Sequence, residues 1–345
     1  MVKVGVFGST GYAGQQLIWF LKNHDRVKVE FLSSNTYAEY NYEDIYQNYI
    51  DILNINCINI NEAINRIKDV DIIFLALPHG KSFDIVKKAI ECNTKVIDLG
   101  ADYRLKDVNT YEKWYGVEHK ASELIPNFIY GLCEINREQI KEFDLIANPG
   151  CFTTASILAM YPLVKENIIK KDSIIIDAKS GVSGAGRGLK TASLFSECNE
   201  SIKAYGVANH RHTPEIEQTL SSACGEDIIL NFTPHLIPMN RGILATCYAN
   251  LNKDYLEEDI KVVFEKYYGK EYFIRLINEL PQTKNVKGSN YCDIAFKLDK
   301  RTNRIIVISA IDNLVKGAAG QAVQNMNIIM GYEEKMGIDF IPNIL

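Results

Sequence analysis

Apolar runs and amphipathic stretches alternate through the first part of the chain. Residues 2–7 predict a short apolar strand that leads into Gly8-Ser9-Thr10-Gly11-Tyr12-Ala13-Gly14 and then a helix over 15–22. A second strand is expected over 28–32. The run 70–77 after Asp69 is apolar without a break, as a parallel strand buried on both faces should be. A helix over 83–91, a strand over 95–99 and a short strand over 143–147 follow. From Thr153 to about Lys165 the pattern places Ala155, Leu158, Ala159 and Leu163 on one helical face. Strands alternating with helices predict a parallel sheet covered by helices. Residues 37–61 are polar and tyrosine-rich and predict few elements.

After Cys151 the pattern changes. Strands expected over 173–178, 228–233, 243–250, 292–298 and 304–311 come with fewer helices, which predicts a mostly antiparallel sheet covered by helices. The fold class is therefore α/β: a Rossmann-type dinucleotide-binding domain over 1–149, then an α+β domain over 150–313 that carries the candidate catalytic residues. A C-terminal helical segment, 314–345, is expected to complete the first domain. Its helix reaches about Gly331, with an apolar stripe of Val315, Ala319, Ala322, Met326 and Met330. Its small residues suit close packing against the first domain, beside a cofactor.

Composition narrows the function classes. A net charge of −5 gives no reason to expect nucleic acid, and no block of Lys and Arg marks a membrane surface. The chain enters a strand from Met1, unlike a signal peptide, and no apolar run approaches a bilayer span. The 8 cysteines are scattered without a CxxC pair, which argues against a zinc or redox cassette and fits a reducing cytoplasm.

Candidate chemistry gathers at the carboxyl ends of the predicted strands, where open α/β sheets bind ligands. The first strand, its glycine-rich turn and the following helix make a phosphate cradle, with glycines that let the backbone approach a pyrophosphate. The second strand ends in Ser33-Ser34-Asn35-Thr36 with no acid to hold a ribose 2′-hydroxyl, so NADP is preferred over NAD. Pro78-His79-Gly80-Lys81-Ser82 and Gly100-Ala101-Asp102-Tyr103-Arg104 end two further strands. Arg104 reads either as an anion clamp or as a partner of Asp102 in a surface salt bridge. In Asn148-Pro149-Gly150-Cys151 a cysteine follows a tight turn at a helix N-terminus. It reads either as a small buried residue or as a thiol whose anion the helix favours. Lys179 to Gly188 is a glycine-rich loop, either a connector or a pocket wall. In His210-Arg211-His212-Thr213-Pro214-Glu215, Thr213 is expected to cap a helix and the histidines are acid–base candidates. A third nearby ligand is lacking, so no metal is expected. Arg241, in Pro238-Met239-Asn240-Arg241-Gly242, is a second anion-binding candidate.

Taken together, 8–14, Leu75-Ala76-Leu77-Pro78-His79-Gly80, 98–105, 148–154, 180–187, 210–215, 235–246 and 313–321 resemble the N-acetyl-gamma-glutamyl-phosphate reductase family, related to aspartate-semialdehyde dehydrogenase. The resemblance covers essentially the whole chain. It implies NADPH-dependent reduction of an acyl phosphate to an aldehyde with release of phosphate, through a thioester on Cys151. His212 is expected to be the general acid/base and His210 an orienting or oxyanion donor. Cofactor contacts are expected from Gly8, Ser9, Thr10, Gly11, Tyr12, Ala13, Gly14, Ser34, Pro78, His79, Gly181, Ser183 and Asn313, and substrate contacts from Arg104, Asn148 and Arg241. A cytoplasmic homodimer or homotetramer is implied. The chain departs from the family pattern at Asn35, Glu39 and Cys133, none of which belongs to the cysteine or histidine motifs. The alternatives are a relative acting on an aminoadipyl or carrier-linked phosphate in lysine synthesis, aspartate-semialdehyde dehydrogenase itself, whose histidine motif looks different, or a non-catalytic NADP sensor.

Overall fold

The computed structural model describes residues 1–342. Two compact units divide it: Met1–Pro149 with Ala318–Ile338, and Gly150–Gly317 with the described residues after Ile338.

The first unit is built on a seven-stranded sheet in the order β3-β2-β1-β4-β5-β7-β6. Its strands are β1 (Val2–Phe7), β2 (Val27–Ser33), β3 (Cys57–Ile58), β4 (Ile72–Leu75), β5 (Lys95–Asp98), β6 (Phe128–Tyr130) and β7 (Leu145–Ala147). Every neighbouring pair is parallel. The chain winds outward from β1 to β3 and then returns to β4 on the other side of β1. That reversal puts the glycine-rich turn after β1 at the topological switch point of the sheet. All of β4 is buried, which explains its unbroken apolar sequence. It is shorter than the expected 70–77 at both ends, with Val70 closing the preceding helical turn and the chain running from Ala76 toward Pro78. The helix Tyr12–Lys22 starts earlier than expected, capped by Gly11, so the end of the glycine turn is itself the first helical turn.

The elements of the tyrosine-rich stretch are short. The stretch forms a short helix, Tyr42–Ile45, and the edge strand β3, with Tyr42 and Tyr49 in the core. The C-terminal segment is not one helix over 314–345. A π-helical turn, Val315–Ala319, leads into the helix Gly320–Ile329, and the chain turns at Gly331 with φ 69°; positions 343–345 of the expected helix lie outside the described residues. The helix Gly320–Ile329 packs against Tyr12–Lys22 and Cys133–Ile140. It is buried around its perimeter, not only along the apolar stripe, because Gln321, Asn325 and Asn327 are fully covered. Their amides find partners: Gln321 and Asn325 both donate to the Gly131 carbonyl, and Asn327 Oδ1 lies 2.9 Å from His24 Nε2.

The second unit holds a mixed sheet in the order β12-β13-β14-β11-β8-β10-β9. Its strands are β8 (Ile175–Ser180), β9 (Lys203–Ala204), β10 (Asn231–Leu236), β11 (Ile243–Asn250), β12 (Ile274–Leu276), β13 (Cys292–Asp299) and β14 (Arg304–Ile311). The pairs β8/β10 and β12/β13 are parallel and the others antiparallel, so the expected antiparallel character holds through the centre. In β11, Ile243, Ala245, Cys247 and Ala249 face the core. The helix Cys151–Lys165 lies against β11 and β14, and Ser309 donates to the Ala155 carbonyl at 2.8 Å. A sheet face and a nearly all-buried helix thus fix where Cys151 begins its turn.

Candidate active site

Gly150, extended at φ −70° and ψ 155°, is the N-cap, and Cys151 is the first residue of the helix. The first-turn amides of a helix lack helical acceptors and favour negative charge there. Beneath this turn lies Glu215, fully buried, whose Oε1 accepts the Gly150 N–H at 2.9 Å. The Thr153 hydroxyl sits 2.9 Å from the same oxygen and 2.6 Å from the Gly150 carbonyl. Glu215 therefore clamps the turn from below. The sequence reading passed over it, since an acid in the first turn of a helix reads as an ordinary capping residue. On another side Gly317, in the π-helical turn, approaches so closely that a Cβ there would lie 2.8 Å from Cys151 Cβ.

The two histidines come together near this helix. His212, not Thr213 as expected, is the N-cap of the helix Thr213–Cys224, so the start shifts by one residue. His212 N–H donates to His210 Nδ1 at 3.1 Å. The His210 ring is boxed by Phe152, Tyr205, Phe232 and the His212 ring, with centroids 4.9–5.6 Å away. Burial lowers its pKa to about 3, helped by the charges of His212 and Arg211 and opposed by Glu215. The ring is therefore neutral, and with Nδ1 accepting, its proton sits on Nε2. Such a ring donates a hydrogen bond without carrying charge.

Gly181, Ser183, Arg241 and Asn313 also meet within the second unit. The amides of Gly181, Val182 and Ser183 donate to Gly242, Met239 and Asn240 carbonyls. Asn313 ties the two loops together, accepting from Gly242 N–H at 2.7 Å and donating to Ser183 Oγ at 3.0 Å. The Arg241 guanidinium is held by the fully buried Asp312, with Nη2 at 3.0 Å from Oδ1. Asp312 also accepts from the amides of Gly288, Leu314 and Val315. Arg241 thus has a fixed direction, and Asp312 is a second residue that sequence reasoning missed.

In the first unit, Arg104 is buried, and its Nη2 donates to the Leu99 carbonyl at 2.7 Å. Asp102 is not a surface residue. It is buried and accepts from Gly80 N–H, Ser82 Oγ and Tyr111 OH, each at 2.7 Å. These bonds fix the loop that carries Pro78 and His79. Burial and the neighbouring Asp102 raise the Asp98 carboxyl to about 7. Asn148 is fully buried, donates to the Ala318 carbonyl and accepts from Asn325 Nδ2. Its amide holds the C-terminal helix to the sheet.

The glycine turn suits a dinucleotide phosphate. Gly8 has φ 76°, and a Cβ there would lie 2.2 Å from the Ala76 carbonyl oxygen; one on Gly14 would lie 2.3 Å from the Gly8 oxygen. Gly11 meets only the Gly8 oxygen, at 3.6 Å, which leaves its outer side open for a ligand. At the end of β2, Ser34 Oγ lies 2.7 Å from Thr10 Oγ1, a hydroxyl pair where an NAD site would carry an acid. No group of metal-ligating side chains occurs among the described residues, nor does a helix long and apolar enough to cross a membrane.

Comparison with known proteins adds the family. The domain described as "Semialdehyde dehydrogenase, NAD binding domain" matches residues 3–143, and "Semialdehyde dehydrogenase, dimerisation domain" matches 151–313. The chain is 56% identical over 345 residues to an N-acetyl-gamma-glutamyl-phosphate reductase of Clostridium novyi, covering 100% of both. It is 55% identical over 346 residues to that of Lachnospira eligens, covering 99% of both. Among solved structures, aspartate semialdehyde dehydrogenase II of Vibrio cholerae, complexed with ASA, matches with a TM-score of 0.74 at 18% identity, over 96% of this chain and 98% of that one. The Candida albicans aspartate semialdehyde dehydrogenase with NADP matches with a TM-score of 0.68 at 16% identity, over 96% and 99%. At these identities the two structures speak to the fold.

Proposed function

The chain belongs to the N-acetyl-gamma-glutamyl-phosphate reductases, a semialdehyde dehydrogenase-type family, and from that premise we propose how its own residues run the reaction. It is an oxidoreductase of arginine biosynthesis that reduces N-acetyl-L-glutamyl 5-phosphate to N-acetyl-L-glutamate 5-semialdehyde and releases phosphate. The observation that carries the residue assignment is Cys151 at the start of a buried helix, with Glu215 beneath its turn.

The Cys151 thiolate, favoured by the helix N-terminus, attacks the acyl carbon; the C–O bond to phosphate breaks and a thioester forms on Sγ. A reduced nicotinamide cofactor, when bound, supplies the hydride that reduces this thioester. The resulting thiohemiacetal on Cys151 collapses to the aldehyde and regenerates the thiolate. His212 is assigned proton transfer, because the Nδ1 of His210 is already engaged as an acceptor. His210, neutral with its proton on Nε2, is assigned as hydrogen-bond donor to the oxyanion. Arg241, aimed by Asp312, binds substrate anion, and Arg104 is assigned the same class of contact.

The Thr10–Ser34 hydroxyl pair and the lack of an acid at the end of β2 support NADPH as the reductant, and the Candida albicans structure contains NADP. The matched dimerisation domain supports a homo-oligomer through the second unit. The cytoplasm is the compartment that eight cysteines outside any disulfide suit.

Incubation with N-acetylglutamyl phosphate in the absence of NADPH tests the mechanism. Intact-mass analysis should find one acyl adduct on Cys151 and none on Cys151→Ser; an unchanged mass for the parent protein refutes the thioester. Rates with N-acetylglutamyl and N-acetyl-aminoadipyl phosphates test the substrate, and equal affinity for NADH and NADPH would remove the cofactor assignment.

A further inference from the structure

The tyrosine-rich stretch that predicted few elements grips the glycine turn with two hydroxyls and the helix after it with a third. Tyr42 OH donates to the Ser9 carbonyl at 3.2 Å, Tyr46 OH to the Thr10 carbonyl at 2.8 Å and Tyr49 OH to the Gln15 carbonyl at 3.4 Å. The three rings form one block, with Tyr42 centred 5.2 Å from Tyr46 and 5.3 Å from Tyr49. Backbone bonds Tyr42 N–H to Ile55 O, Tyr46 N–H to Tyr42 O and Tyr49 N–H to Tyr46 O anchor the block. From the other side, the Ser33 carbonyl takes the N–H groups of Gly8 and Ser9.

In a planar trans peptide the C=O and the following N–H point in opposite directions. A hydroxyl holding the Ser9 carbonyl therefore turns the Thr10 N–H away from the tyrosines. Holding the Thr10 carbonyl fixes the next peptide, whose Gly11 N–H closes the turn on the Gly8 carbonyl at 3.2 Å. Two adjacent peptides of a glycine-containing turn are thereby held fixed, one closing the turn and the other with its N–H turned from the tyrosines, and a Cβ on Gly11 would meet only the Gly8 oxygen, at 3.6 Å.

We propose that Tyr42 and Tyr46 are positioning residues for the dinucleotide, holding the Ser9 and Thr10 peptides so that the turn presents a preorganised face to the cofactor phosphate. This rests on the reading of residues 8–14 as the phosphate cradle. Tyr49 serves as the internal comparison, since its hydroxyl reaches a carbonyl in the helix beyond the turn.

The test is titration of NADPH into the full-length protein without substrate, followed by steady-state kinetics. Loss of one neutral hydrogen bond predicts a dissociation constant raised about five-fold in Tyr46→Phe and in Tyr42→Phe, with kcat at saturating NADPH unchanged within about two-fold. Tyr46 is only half-buried, so Tyr46→Phe leaves no cavity in the core. Tyr49→Phe should keep the parental affinity. Gly11→Ala, which meets no clash within the protein, should weaken NADPH by blocking its approach. If Gly11→Ala weakens binding and neither Tyr42→Phe nor Tyr46→Phe does, the positioning role is wrong. Equal weakening by Tyr49→Phe would reduce it to general support of the segment. Parental affinity in Gly11→Ala would overturn the cradle reading, and the proposal with it.

Discussion

Replacing Gly317 by alanine puts a single methyl group against the proposed nucleophile. The added Cβ would lie 2.8 Å from Cys151 Cβ and 3.2 Å from its Cα. Carbon atoms in contact prefer about 3.5–4.0 Å, so the overlap is roughly 1 Å. Neither side yields easily. Gly317 is held in the π-helical turn by its N–H bond to the Asp312 carbonyl at 3.0 Å, and Cys151 starts a buried helix that Glu215 clamps. Overpacking of this kind typically destabilises by about 1–3 kcal/mol. Displacing a reacting group by about 1 Å lowers turnover on the order of 100-fold. Gly317→Ala should therefore lose roughly two orders of magnitude in kcat/KM, and the rate of Cys151 alkylation by iodoacetamide should change with it. Gly188→Ala, where nothing lies within 4 Å of the new methyl, is the matched control and should keep parental activity. A Gly317→Ala enzyme with parental kcat/KM and alkylation rate, whatever its urea midpoint, would show that this contact does not set the position of the thiol.

Glu215→Ala should lower stability by about 2–3 kcal/mol in urea denaturation, because it leaves the Gly150 N–H without its acceptor inside a buried turn; Glu215→Gln, which retains an acceptor oxygen, should lose less. His210 has its pKa lowered from 6.5 to about 3, so between those pH values the unfolded chain binds a proton that the folded chain refuses. Its contribution to stability should fall by at most about 2 kcal/mol from pH 7 to pH 5, and a His210→Phe protein whose urea midpoint follows the parental pH dependence would contradict this. Asp98 has the opposite sign: its carboxyl is raised from 3.8 to about 7, so the stabilisation it brings at low pH is lost as pH rises through that window. Asp98→Asn should gain thermal stability relative to the parent from pH 4 to pH 8, and a constant difference in Tm would rule out the raised carboxyl.

Short-range patterning accounts for much of what could be read before the fold was known. The helix Phe83–Glu91 and the strand Ile243–Asn250 follow their sequences residue by residue, because a period of 3.6 or of two records which side faces the core, and the strand Val2–Phe7 follows its apolar run, as a strand buried on both faces does. The place of Cys151 at a helix start was likewise legible, since Pro-Gly followed by an apolar helical face is a local signal. The π-helical turn was not, because a run of small residues also suits a continuous helix.

The sequence by itself determined the parallel sheet, the glycine turn at its first strand, the change to a mostly antiparallel pattern after Cys151, and a cysteine and two histidines as the candidate chemistry. Only tertiary structure decided what holds those groups in place. Glu215 lies beneath a turn 65 residues away in sequence, Asp312 aims an arginine 71 residues distant, and Tyr42 reaches a carbonyl 33 residues back. Such partners leave no periodic trace, because a buried acid or hydroxyl is placed by the one acceptor or donor it must satisfy, not by its neighbours in the chain.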